Sequence, residues 1–145
     1  MRKIDSLLSK HPFFKGMGEW YLEQLSRYAE ERSMPSGKYL IREGRVADKF
    51  YLILKGNVTV GTTARGGLFK PIQTLGPKDI VGWSWLLPPH RCYFDAKTSK
   101  PVTLIVLNGK YLRAKCEEDP VLCNQVLRRL AGFLIQRVTA LRKAT

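Results

Sequence analysis

Lys38-Tyr39-Leu40-Ile41-Arg42-Glu43-Gly44-Arg45, followed shortly by Phe50-Tyr51-Leu52-Ile53-Leu54-Lys55-Gly56-Asn57-Val58-Thr59-Val60, decides the fold. Phe50 to Leu54 is aromatic and branched, the composition of a strand that packs on a pleated surface. Lys55-Gly56-Asn57 makes a tight turn, and Val58-Thr59-Val60 alternates as a half-exposed strand does. Lys38 to Ile41 reads as a shorter strand, closed by a turn at Arg42-Glu43-Gly44-Arg45. Downstream, Arg65-Gly66-Gly67 signals another hairpin, and Phe69 to Leu75 runs to the turn Gly76-Pro77-Lys78-Asp79. Cys92 to Ala96 and Val102 to Leu107 complete the series. Short strands separated by glycine turns roughly every ten residues predict a roll or sandwich.

The flanks have a helical period. Ile4, Leu7 and Leu8 form a short amphipathic turn that Pro12 interrupts. Trp20, Tyr21, Leu25, Tyr28 and Ala29 mark a helix from about Gly18 to Glu31, and Met34-Pro35-Ser36-Gly37 breaks it. After the strands, Asn108 or Gly109 opens a helix to about Cys116. Asp119 is a good N-cap with Pro120 at the first helical position. Leu127, Leu130, Leu134, Val138 and Leu141 then recur at steps of three and four, widened by Val126 and Phe133. Arg128, Arg129, Arg137, Arg142 and Lys143 take the other faces. The expected architecture is α+β: an antiparallel, jelly-roll-like β-roll flanked by N-terminal helices and a long C-terminal helix. One domain over 1–145 is expected, with helices in 1–35, the roll in 36–107 and helices in 108–145.

Composition narrows the function. The chain has 145 residues, 44% hydrophobic and 26% charged, which suits one globular core and not a disordered chain. No apolar run approaches the ~20 residues of a membrane span. The basic start, Met1-Arg2-Lys3-Ile4-Asp5-Ser6, is followed by no signal-like stretch, so a cytoplasmic location is expected. Lys and Arg total 25 against 12 Asp and Glu, a net charge of +13. That excess favours an anionic partner, or serves as solvated surface charge. Cys92, Cys116 and Cys123 are an odd set without C-x-x-C spacing, which argues against a disulfide framework. His11 and His90 are the two histidines, too few and too far apart for a metal-binding roll. Cys92 beside His90 and Arg91 is the nearest approach to a nucleophile, since positions 90 and 92 of a strand share a face. Its simpler role is a small residue on a pocket wall. No enzyme centre, cofactor or metal is expected.

Four motifs bring a family into view: His11-Pro12-Phe13-Phe14, then Pro35 to Gly44, then Ala47 to Val58, then Gly76-Pro77-Lys78-Asp79-Ile80-Val81-Gly82. In this order they resemble cyclic nucleotide-binding domains over nearly the whole chain. The resemblance implies a bacterial second-messenger sensor, in which an arginine and the N–H groups of a short helix hold a cyclic phosphate. A glutamate of that helix would accept the ribose hydroxyl. Here the corresponding stretch is Val81-Gly82-Trp83-Ser84-Trp85-Leu86-Leu87-Pro88-Pro89-His90-Arg91-Cys92. The glutamate's place falls on Trp83, which offers a donor and no acceptor. The phosphate arginine falls on His90, or on Arg91 with one gap, and Arg91 has the better chemistry. The candidate ligand-binding residues are therefore Val81, Gly82, Trp83, Ser84, Trp85, His90, Arg91 and Cys92. The two tryptophans either stack on a base or fill the space of an absent ligand.

The expected function is a stand-alone regulatory sensor for a small anionic nucleotide, signalling through a protein partner. Cyclic AMP or cyclic GMP is the first ligand class and cyclic di-GMP the second. The alternatives are an adaptor that has lost nucleotide binding, and a basic nucleic-acid binder without sequence preference. By resemblance, the 120–143 helix implies a homodimer, although packing on its own roll needs the same apolar stripe. The chain stops at Thr145, where related transcription factors continue into a helix-turn-helix, so no sequence-specific DNA contact is expected.

Overall fold

The strand pattern closes into two four-stranded antiparallel sheets in a computed structural model that describes residues 2–144. Met1 and Thr145, the outermost positions of the expected domain, lie outside the described residues. The elements in order are α1 (Lys3–Lys10), α2 (Glu19–Ser26), β1 (Ala29–Met34), β2 (Tyr39–Ile41), β3 (Lys49–Lys55) and β4 (Val58–Thr63). They continue with β5 (Phe69–Leu75), β6 (Ile80–Val81), β7 (Asp95–Thr98), β8 (Val102–Asn108), α3 (Gly109–Glu118) and α4 (Pro120–Lys143). One sheet has the order β1-β8-β3-β6 and the other β2-β7-β4-β5. The expected β-roll with flanking helices is what the chain forms.

Two boundaries differ from the sequence expectation. The helix expected from Gly18 to Glu31 ends at Ser26, and Ala29–Met34 is a strand. Its sequence, Ala-Glu-Glu-Arg-Ser-Met, has little strand preference of its own. Pairing decides the matter: every residue from Ala29 to Met34 has a partner on β8, from Leu107 to Val102. Tyr28 leaves the helical stripe and stacks on Tyr111 with ring centroids 3.4 Å apart. The roll therefore starts at Ala29, not at residue 36. The strand expected at Cys92 to Ala96 sits at Asp95–Thr98 instead. Cys92 is drawn off by a loop: its N–H donates to the Arg45 carbonyl, and its carbonyl accepts from the Gly44 N–H.

Two apolar cores result. Tyr51, Ile53, Val58, Leu75, Val81, Ala96, Val102, Leu104 and Val106 fill the space between the sheets. The other face of β3 and β8 carries Phe50, Leu52, Ile105 and Leu107 against the helices. Phe13 joins that core with its ring edge-on to both Phe14 and Phe50, each at 4.9 Å. Trp85 is fully buried there, 5.5 Å from Phe50 by ring centroid. A Cβ on Gly109 would stand 2.7 Å from the Trp85 Cβ, so α3 can start this close to the indole only with glycine at that position.

α4 is capped as its sequence expects: the Asp119 carboxylate accepts from the Val121 and Leu122 N–H groups at 3.0 and 3.2 Å. Its packed face is Leu122, Val126 and Leu130, with Phe133 beside Phe13. Of the expected seam, Leu130 is buried on that face, Leu134 and Leu141 are half-buried, and Leu127 and Val138 are exposed. Arg129 ties the helix to the N-terminal segment by donating to the Phe13 and Lys15 carbonyls at 2.7 and 2.9 Å.

His11 sits at the same junction, 3% exposed. Its Nδ1 accepts the Phe13 N–H at 3.1 Å, while its buried Nε2 has no partner among the described residues. Burial pulls its pKa down to about 4, against smaller upward pulls from the Ile53 and Asp79 backbone and the Asp79 charge. In the unfolded chain it titrates near 6.5, so the unfolded state binds more protons between pH 6.5 and 4. Stability is thus full above pH 6.5 and falls toward pH 4, by roughly 3 kcal/mol at one pKa unit per 1.36 kcal/mol. Urea unfolding across this range should show that slope, and His11→Gln should flatten it. Trp85→Ala should cost about 3–5 kcal/mol in the same assay at neutral pH, the range for a large aromatic removed from a core.

Candidate functional site

The segment from Gly82 to Phe94 is built of turns, with no helix and a single β-bridge between Val46 and Arg91. The short helix implied by the resemblance is absent, so no helix N-terminus faces a ligand here. Three anchors shape the loop instead. Trp85 is sunk in the core, and its carbonyl accepts from Arg113 at 3.1 Å. His90 gives its carbonyl to the Ala47 N–H at 2.8 Å. Cys92 closes on Gly44 and Arg45. The backbone N–H groups of Trp83 and Ser84 donate to no backbone carbonyl among the described residues.

The sequence-derived candidates separate into distinct places. Trp85 is placed in the core and lines neither cleft: it is fully buried among Phe50 and the helices, and its Nε1 has no partner among the described residues. Val81 and Ser84 are buried, and they line a small inner cleft with Gly82, Trp83, Ile41, Val60, Tyr93, Phe94 and Arg137. Gly82 has φ +82°, and a Cβ there would meet the Lys49 carbonyl at 3.1 Å. His90 has φ +57°, which takes it out of any strand, so it does not share a strand face with Cys92. Arg91 is exposed and reaches the Gly44 carbonyl at 3.5 Å.

A larger cleft of about 350 Å³ lies on the other side of Gly82. Leu40, Ile41, Arg42, Arg45, Val46, Ala47, Asp48, Lys49, Tyr51 and Cys92 complete its wall. Three cations against one carboxylate give its wall an excess of positive charge. The Cys92 thiol is pushed up by burial and by the nearby Asp48 charge, so it stays protonated and serves as wall. Burial pushes the Tyr51 phenol up to about 12, and its hydroxyl donates to the Leu40 carbonyl at 3.1 Å. Asp95 braces the rim. Burial raises its pKa, but the Thr63 hydroxyl, the Glu43 N–H and Arg42 together hold it below the ordinary value. Arg42 lies 3.4 Å from the Asp95 carboxylate and 3.9 Å above the Tyr39 ring, which leaves Arg45 and Lys49 as the cations not so engaged.

The inner cleft is nearly shut, at about 20 Å³. Trp83 and Tyr93 stand near-parallel across it, with ring centroids 6.4 Å apart and planes at 26°. Arg137 of α4 donates to Asp79 at 3.3 Å, and Gln73 donates to the Arg137 carbonyl at 3.2 Å. Burial lowers the Arg137 pKa, while Asp79 pulls the other way. Its Nε–H is buried with no acceptor among the described residues, a state that costs about 1–3 kcal/mol or more for a charged group.

Arg42, Arg45, Lys49, Tyr93 and Arg137 are among the wall residues that sequence reasoning missed. Arg42 to Arg45 reads only as a turn, and Arg137 reads as solvated helix surface. The signal for Arg137 is its spacing: it lies seven residues after Leu130 and four after Phe133, on the packed face.

Residues 31–119 match the family model described as "Cyclic nucleotide-binding domain". The "CRP-like cAMP-activated global transcriptional regulator" of Mycobacterium tuberculosis is 26% identical over 131 residues, 90% of this chain and 58% of that protein. The chain thus spans little more than half the length of that relative. A Geobacter metallireducens GS-15 crystal structure, of a protein assigned as cyclic nucleotide-binding, superposes with a TM-score of 0.84 at 25% identity, covering 95% of this chain and 99% of that one. The "Regulatory subunit of a cAMP-independent protein kinase A" from Trypanosoma brucei gives 0.72 at 25% identity, covering 90% and 46%. Among the described residues, no helix is long and apolar enough to cross a membrane, and no group of His, Cys, Asp and Glu is placed to hold a metal.

Proposed function

The chain belongs to the cyclic nucleotide-binding domain family, and on that premise we propose that it is a regulatory sensor for a small anionic nucleotide bound beside Gly82. The observation that carries this reading is the basic cleft. Arg45 and Lys49 in its wall and Arg91 at its edge can meet a phosphate, and across Gly82 the Trp83 and Ser84 N–H groups have no backbone acceptor among the described residues. The missing carboxylate at position 83 changes the ribose contact and leaves the phosphate contact available. The kinase subunit from Trypanosoma brucei is described as cAMP-independent, so this fold does not by itself commit a protein to cyclic AMP.

The signal leaves through α4. Arg137 joins that helix to the loop carrying Asp79, next to the cleft, so a ligand that disturbs the inner wall moves a helix bearing an exposed apolar seam. Coupling requires the ligand to bind the two arrangements differently. A second copy of the chain is the occupant we assign to the seam, and a protein partner reads the resulting surface. The second reading, an adaptor without a ligand, is favoured by Trp83 at the ribose position and by the nearly closed inner cleft.

Calorimetry against cyclic AMP, cyclic GMP and cyclic di-GMP separates the two readings: saturable heat from at least one supports the sensor, and none from all three supports the adaptor. Arg91→Ala should weaken a positive signal by about 10- to 100-fold, the worth of one charge-assisted hydrogen bond. Unchanged affinity would move the phosphate contact to Arg45, His90 or the backbone. Light scattering should find a dimer that Val138→Glu converts to monomer; a monomeric parent chain would remove the second copy from the account.

A further inference from the structure

Among the described residues, Arg137 is the one charged side chain lining the inner cleft, and α4, whose packed face is apolar apart from the Arg129 ties, delivers it there. A guanidinium has donors and no acceptor. One terminal nitrogen serves Asp79, and the buried Nε–H serves nothing among the described residues. The opposite requirement stands beside it in Trp83 and Tyr93. These rings are 6.4 Å apart, whereas Tyr28 and Tyr111 stack at 3.4 Å, and Tyr93 is 53% exposed and has room to swing outward. A planar heterocycle entering between them would bring one edge to the α4 side of the cleft.

The purine edges differ in what they offer an arginine. Guanine presents two acceptors, O6 and N7, to a two-pronged donor; adenine presents one acceptor, N7, beside a donor, N6–H. Resting on the nucleotide-binding reading above, we infer that Arg137 selects a guanine base, held between Trp83 and Tyr93 with its O6/N7 edge on the guanidinium. The base could belong to cyclic GMP or to cyclic di-GMP, which share this edge. A phosphate role for Arg137 would give no preference between cyclic GMP and cyclic AMP, because their phosphates are identical.

The test is titration of the full chain and of Arg137→Gln and Arg137→Lys with cyclic GMP, cyclic AMP and cyclic di-GMP, after melting curves establish that each variant is folded. The parent should prefer cyclic GMP to cyclic AMP by about 5- to 150-fold, the discrimination of one good bidentate pair. Arg137→Gln should reverse the order, because an amide matches the N6/N7 edge of adenine. Arg137→Lys keeps the charge toward Asp79 but loses the fork, and its preference should fall toward unity. The cyclic di-GMP arm identifies which molecule supplies the guanine. Equal affinities in the parent, a preference for cyclic AMP, or variants that weaken both ligands alike would overturn the inference and leave the sensor reading standing. Absence of binding by all three would end both.

Discussion

The burial of Trp85 is the constraint on which the site depends. The loop from Gly82 to Phe94 has no helix and little backbone pairing, so its course is set by what holds it. An indole sunk beside Phe50 and under the first turn of α3 fixes the middle of the loop to the core. With that point fixed, Gly82 and Trp83 emerge on one side and His90 to Cys92 return along Gly44 to Ala47 on the other. The two clefts on either side of Gly82 follow from this path. In a family whose ligand loop is otherwise expected to be a short helix, a buried tryptophan takes over the work of holding the loop in place.

A second node lies at Asp79. Arg137 reaches it from the C-terminal helix, and buried His11 of the N-terminal segment feels its charge. Arg129 adds a direct tie between that helix and the Phe13 and Lys15 carbonyls. The chain's two ends and the roll are therefore coupled through a few polar contacts around an aromatic core. Such contacts exchange partners more readily than interlocked apolar side chains do, which suits the response proposed for that helix.

Much of the fold was legible because turn chemistry and period agreed: of the glycines expected at positive φ, those at 37, 44 and 56 adopt it, whereas in the Gly76 turn Lys78 takes it instead, and Asp119-Pro120 starts α4 as its residue types dictate. β1 was not legible, because Ala29 to Met34 becomes a strand through β8 rather than through its own residues. The candidate site was half legible. Val81 to Ser84 and Cys92 line clefts, but Trp85 belongs to the core, and no spacing rule distinguishes two tryptophans two residues apart in an irregular loop. Arg137 was hidden by its charge, since a basic residue on a helix is ordinarily solvated.

On the sensor reading, a nucleotide enters beside Gly82 and meets Trp83. The three tryptophans, at 20, 83 and 85, give the chain three indole N–H probes, which makes a two-dimensional NMR titration with cyclic GMP and cyclic AMP the most direct measurement. Nucleotide bound there should produce saturable shifts of the Trp83 indole and the Gly82 amide, with the exposed Trp20 indole unmoved. Titrations that leave Trp83 and Gly82 in place, or that move only Trp20, would contradict it.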